Sequence, residues 1–226
     1  MEVGIAKRLG CSLLPACLIV DLAEQQKGCS MAEAYANYKP PIVLYDACVL
    51  YPFHLRNLLV QCAVDRLVDA RWSDDIHDEW SRNLVANNPS NTIERLSVTR
   101  RLMNDVLPNA TVTDYAQYIS KINLPDADDR HVVAAAIVGN ASLIVTWNGQ
   151  DFPARELERY KLRQQTPDDL LMNLYAVKPA EVVAMASNAR RNLRQSMPPA
   201  VDFLKALERQ RLRKFSMTMN GHLSDL

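Results

Sequence analysis

The stretch LPDADDRHVVAAAI, residues 124–137, sets Asp126, Asp128 and Asp129 within four positions, directly before an apolar run of helical character. One aspartate is an ordinary helix cap; three crowd like charges together, and like charges raise one another's pKa. The same residue type recurs where chemistry collects. Asp46 closes the apolar segment IVLYD, Glu79 lies in DDIHDEW, and Asn148 follows SLIVTW with Asp151 three residues on. A hard divalent cation relieves converging carboxylates, because magnesium and manganese prefer oxygen ligands. The reaction such a centre serves best is phosphoryl displacement, in which the metal makes a bound water nucleophilic and stabilises the leaving oxygen.

Gaps of 33, 50 and 19 residues separate Asp46, Glu79, Asp129 and Asn148 in turn. Only a fold that returns distant segments to one edge joins them. IVLYDACVL reads as a buried strand finishing near Asp46, and SLIVT (142–146) as a second. Between them, LRNLLVQCAVDRLVDA, SDDIHDEWSRNLVAN and residues 91–107 carry helical periodicity. NATVT suggests a short strand or loop. A helix runs from about Asp128 to Val138, with Gly139-Asn140 as its stop. Strands separated by helices indicate an α/β domain with a mostly parallel sheet. Its sites lie beyond the carboxyl ends of the strands, where Asp46 and Thr146–Asn148 fall. After Pro167 the pattern is helical, broken at Pro198-Pro199, with SMTMNGHLSDL expected to fray.

Composition bounds the rest. The 226 residues carry 26 basic and 26 acidic side chains, so no overall basic surface argues for nucleic acid. Five cysteines, all within the first 62 residues, form no C-x-x-C pair. Reduced thiols in a cytoplasmic protein are the expectation. No apolar run reaches the roughly 18–20 residues that span a bilayer, so no membrane partner is expected. Residues 1–38 read as a helical extension, or as an upstream addition if translation starts at Met31.

In order, IVLYDACVLYP, DDIHDEWSRNL, LPDADDRHVVAAAI and LIVTWNGQDFP resemble the PIN domain, and more closely the VapC-like ribonuclease toxins of type II toxin–antitoxin pairs. The resemblance implies a three-layer α/β/α sandwich over residues 39–165 and a C-terminal helical extension over 166–226. It implies a magnesium- or manganese-dependent endoribonuclease with an RNA substrate and a cognate antitoxin protein. The C-terminal helices would serve that interface or a homodimer. Position by position, Asp46 is the central metal ligand and Glu79 the helix glutamate that binds or positions the metal. Asp129 is the third carboxylate, with Asp128 its alternate. Asn148 holds the fourth position, where many relatives carry Asp, and Thr146 is the hydroxyl that orders water or phosphate. Asp151 either stands behind the metal ligands or forms a turn, and Asp126 is a turn residue.

Other side chains invite competing readings. His77 and His131 sit beside the acidic residues, but oxygen-rich neighbours do not favour zinc, and structural roles are expected. Trp147 would stack on a base or simply pack. His54 and Arg56 lie where an RNA phosphate could pass. Arg82, Arg100, Arg101, Arg190, Arg191, Arg194, Arg209, Arg211, Arg213 and Lys214 are the candidate basic surface. Two rivals remain: a PIN-like module that has lost catalysis and serves binding or regulation, and a metal-dependent DNA nuclease.

Overall fold

A computed structural model describes residues 38–226 except 89 and 195. The expected N-terminal extension, 1–38, lies outside the described residues except at its last position. The strands are β1 (Ile42–Tyr45), β2 (Asp69–Ser73), β3 (Thr111–Val112), β4 (Leu143–Val145) and β5 (Arg163–Gln165). They form one sheet in the order β3-β2-β1-β4-β5, every pairing parallel. In the central strand Val43, Leu44 and Tyr45 are fully buried, as an apolar run between helical layers must be.

The helices are α1 (Ala47–Leu50), α2 (Phe53–Val64), α3 (Asp74–Asn87), α4 (Ile93–Val106), α5 (Ala116–Ile119), α6 (Arg130–Val138), α7 (Ala154–Glu158), α8 (Pro167–Val177), α9 (Pro179–Arg191), α10 (Ala200–Arg209) and α11 (Arg213–Met219). The chain moves outward from β1 to β3, then crosses back to β4. Right-handed crossovers therefore put α2 and α6 on opposite faces, the three-layer arrangement expected. Helix α6 lies across β1, β2 and β4, while α9 and α10 pack on α2.

Local chemistry sets the element ends. Ser73 Oγ accepts the Ile76 N–H and opens α3, whose first turn carries Asp74 and Asp75 against the positive end of the helix dipole. Thr166 caps α8, with Pro167 behind it. Glycine is scarce, with 6 in the chain, so left-handed helix stops fall to other residues: Arg66 (φ 58°), Asn140 (φ 52°) and Arg211 (φ 71°). At α2, Leu67 N–H reaches Cys62 O (3.0 Å) and Arg66 N–H reaches Ala63 O (3.0 Å), the paired bonds of a Schellman stop. Gly139 answers a different need, since a Cβ there would stand 2.9 Å from Val112 Cγ2.

Several expectations are corrected. The strand expected to finish near Asp46 does so, at Tyr45, but residues 47–50 form the short helix α1. DARWS is a strand, not the tail of a helix, and residues 163–165 add the edge strand β5. The last residues do not fray: α11 covers SMTM, and Met219 and Leu226 are buried. The Leu226 carbonyl accepts hydrogen bonds from Ser187 Oγ and Arg190 Nε.

Candidate active site

The direction of the crossovers reverses between β1 and β4, and the crevice beyond their carboxyl ends is the ligand position in such sheets. Asp46 stands there, 3% exposed, with its N–H bonded to Val145 O at 3.1 Å. Its carboxylate is fixed from three sides. Oδ1 accepts the Ala47 N–H at 2.7 Å. Oδ2 accepts Thr146 Oγ1 at 2.7 Å and Cys48 Sγ at 3.0 Å. A carboxylate oxygen has two lone pairs, so both on Oδ2 are engaged and one on Oδ1 is free.

Burial raises the Asp46 carboxyl, the Cys48 and Thr146 hydrogen bonds work against that rise, and the charge of Glu79 adds to it. Thr146 is buried at the end of β4; its Oγ1 also accepts the Asn148 N–H at 2.9 Å. Cys48 extends the network by accepting the Trp147 N–H at 3.3 Å. Its thiol is pushed up first by burial and then by Asp46, so it stays protonated and donates. Cys48 is the member that sequence reasoning passed over; its position two residues after the strand-end aspartate was the available signal.

Asp129 is the N-cap residue of α6, yet its side chain makes no capping bond. Its carboxyl is raised to about 7, by partial burial and then by the charges of Asp46, Asp126, Asp151 and Glu79. Those causes define the cluster. Asp128 is exposed; its N–H is bound by Asp126 Oδ1 at 2.9 Å, an Asx turn that makes Asp126 the expected turn residue while its charge still reaches Asp129. Asp151 lies in the 3-10 turn Gly149–Asp151, half-buried and within electrostatic reach of Asp129. Asn148 is exposed.

Glu79, 36% exposed at its side chain, lies 3.5 Å from Nε2 of His131 on α6. Burial alone would lower His131, but the hydrogen bond and charge of Glu79, with Asp75 and Asp46, hold it above its ordinary value. His77 is different. It is fully buried, its Nδ1 accepts Trp80 Nε1 at 3.1 Å, and burial drives it down to about 4, a neutral core histidine.

Of the basic candidates, Arg56 is turned inward. Its guanidinium donates to Leu50 O (2.6 Å) and Tyr51 O (3.2 Å) and lies 4.6 Å from the centroid of the Trp80 ring. Burial lowers it to about 10. It satisfies the carbonyls at the end of α1 and does not face a substrate path. Arg100 is bound to Asp74 and Asp78, and Arg190 to main-chain carbonyls. Trp147 is half-exposed, with the Arg211 guanidinium 4.5 Å from its ring centroid.

The donors gathered here are carboxylate oxygens that destabilise one another, the set a hard divalent cation suits. Among the described residues, no three side chains of the histidine, cysteine, aspartate and glutamate types close on one point as a metal group. The carboxylates share an edge and a field without forming a shell. Nor is any helix among the described residues long and apolar enough to cross a membrane.

Comparison with known families gives two matches. Residues 42–150 match the PIN domain, and residues 167–219 match the VapC50 C-terminal domain. No curated protein and no solved structure matches the chain significantly.

Proposed function

The chain is a VapC-like PIN-domain protein, from a family of nuclease toxins, and on that premise we propose that it is a metal-dependent endoribonuclease restrained by a cognate antitoxin. One observation supports this most: a buried aspartate at the sheet's switch point shares its field with Asp129, whose carboxyl partial burial and then the surrounding carboxylates hold near 7. Negative charge accumulated in this way, beyond what His131 offsets at Glu79, is costly to the fold and useful to a ligand of opposite sign.

Asp46 and Asp129 would hold magnesium or manganese, with Glu79 and Asn148 completing the surroundings. The bound ion would supply a nucleophilic water and charge stabilisation at phosphorus. The chain's own residues prepare that place. Thr146 and Cys48 fix the rotamer of Asp46 and leave a lone pair of Oδ1 open. His131 holds Glu79 toward the cluster. Asn148, neutral and exposed, spares the edge a further charge. Asp128 turns to solvent, so Asp129 is the third carboxylate in this reading.

Because no three side chains form a metal group among the described residues, a catalytically silent binding module is the second reading. Purified protein with manganese should cut single-stranded RNA in preference to matched DNA, and Asp46→Ala should not. Equal cleavage by Asp46→Ala would refute the assignment. Calorimetric titration decides between the readings, since the silent module takes up no manganese in an Asp46-dependent manner.

A further inference from the structure

The acidic edge repels the phosphates that a nuclease must admit, and the molecule as a whole has no excess of positive charge to compensate. Cationic groups near the edge that are not already neutralised therefore bear directly on substrate entry. Most basic side chains with a partner are spent on the fold: Arg100 on Asp74 and Asp78, Arg159 on Glu156, Lys205 on Asp202, Lys214 on Asp169. Other arginines, Arg82, Arg101, Arg130 and Arg213 among them, make no ion pair with a carboxylate among the described residues, and two more stand at the end of α10, where the chain meets the strand-end network. Arg209 and Arg211 are both exposed, and neither makes an ion pair with a carboxylate among the described residues.

The turn after α10 is fastened beside the acidic edge. Gln210 Oε1 accepts the Leu55 N–H at 2.7 Å. That N–H is one of the unpaired donors in the first turn of α2, which Pro52 does not cap. Arg211 extends over Trp147, its guanidinium 4.5 Å from the ring centroid. Trp147 follows Thr146, and its N–H is bonded to Cys48 Sγ, so the aromatic ring is anchored to the network that holds Asp46. Arg209 stands near His54, whose imidazole is lowered by partial burial and then by the Arg209 charge. Phe53, 56% exposed, adds an open apolar face next to them.

We infer that Arg211 on its Trp147 platform, with Arg209, forms a phosphate clamp contributed by the C-terminal helices, which grips single-stranded RNA beside the acidic edge. The inference rests on the nuclease reading above, which identifies that edge as the place where RNA is cut. The clamp separates the labours of binding and cutting: cationic side chains from after residue 167 hold flanking phosphates, and carboxylates from before residue 150 face the scissile one. A guanidinium stacked on an indole keeps its edge N–H groups free for phosphate oxygens.

The test uses the full chain in EDTA, with fluorescence anisotropy of a labelled single-stranded RNA oligonucleotide over a series of salt concentrations. Arg211→Gly suits the left-handed backbone at that position, so its thermal stability should be equal or higher, which removes misfolding as an explanation. Combined with Arg209→Gln it should weaken RNA binding at least tenfold. It should also reduce the log–log salt slope by about 1.4, at roughly 0.7 for each single-strand phosphate that is no longer neutralised. Arg211→Lys should recover part of the affinity and the slope, and Arg159→Ala, whose side chain is tied to Glu156, should leave both unchanged. Unaltered affinity and slope in the double variant, or no RNA binding by the parent protein, overturns the clamp. Asp46-dependent cleavage with an unaltered slope refutes the clamp and leaves the nuclease standing. The expected drop in slope, in a protein that never cleaves, does the reverse.

Discussion

Replacing Asp129 by asparagine should make the cation-free protein more stable at neutral and alkaline pH, and only there. The carboxyl stands at about 7 in the fold, against an ordinary value of 3.8. A carboxyl raised on folding binds its proton more tightly in the native state, so stability falls as pH climbs from about 4 to about 7 and stays reduced above. At about 1.36 kcal/mol per tenfold change, the full displacement corresponds to about 4 kcal/mol. Asp129 is only half-buried, and solvent screening reduces the effect to about 1–2 kcal/mol. At about 2–4 °C per kcal/mol for a domain of this size, Tm at pH 8 should rise by about 2–8 °C in Asp129→Asn. At pH 4 the two proteins should melt together, because the parent carboxyl is then protonated. Asparagine is as good an N-cap as aspartate, so the helix start is not a confounding change. His131, raised beside Glu79, also favours the fold at low pH, but it contributes to both proteins and cancels in the difference. Differential scanning calorimetry in EDTA across pH 4–8 measures the effect, and manganese should stabilise the parent more than the variant. A Tm difference that is constant with pH would refute the carboxylate-cluster reasoning.

Other perturbations probe separate parts of the structure. Asp46→Asn should abolish RNA cleavage while leaving the circular dichroism spectrum unchanged; residual cleavage near the parent rate would remove Asp46 from the chemistry. Thr146→Val should cost about 1–3 kcal/mol in urea denaturation, because Asp46 Oδ2 and the Asn148 N–H are each deprived of a buried partner. Arg66→Gly should add about 1 kcal/mol by relieving the left-handed backbone at the end of α2, read as a rise in urea midpoint at unchanged slope. Arg56→Ala should destabilise by about 2–4 kcal/mol through the unpaired carbonyls of Leu50 and Tyr51; a fall in RNA affinity without a fall in stability would restore the substrate-facing reading.

The two strands that carry the site were legible because each is a short, continuously apolar run ending in a polar residue. β2 was not. Its Asp69 and Arg71 are half-exposed and bind each other, so the helical periodicity of the preceding residues runs on through them. β5, Arg-Gln-Gln, has no apolar signature at all and is a strand only because its backbone pairs with β4. The acidic residues could be ordered along the chain, but not Asp128 against Asp129. That choice depends on the Asx turn of Asp126, which turns one carboxylate outward and the other toward the cluster. A charged residue early in a helix suggests surface, whereas the carbonyls left open at the end of α1 draw Arg56 inward. The meeting of Arg211 with Trp147 joins residues 64 positions apart, and no local pattern announces it.

The hydrogen bond from Thr146 to Asp46 also has a consequence in time. Its partners are 100 positions apart, and β4 must insert beside β1 before it can form. At roughly 5–20 residues per second of synthesis, a ribosome that has made Asp46 needs several seconds or more to deliver Thr146. Until then the aspartate lacks the hydroxyl that orients it, and the growing chain carries an unassembled blade. For the endoribonuclease proposed above, whose own messenger lies within reach, the delay means that the acidic edge is set only after most of the message has been read.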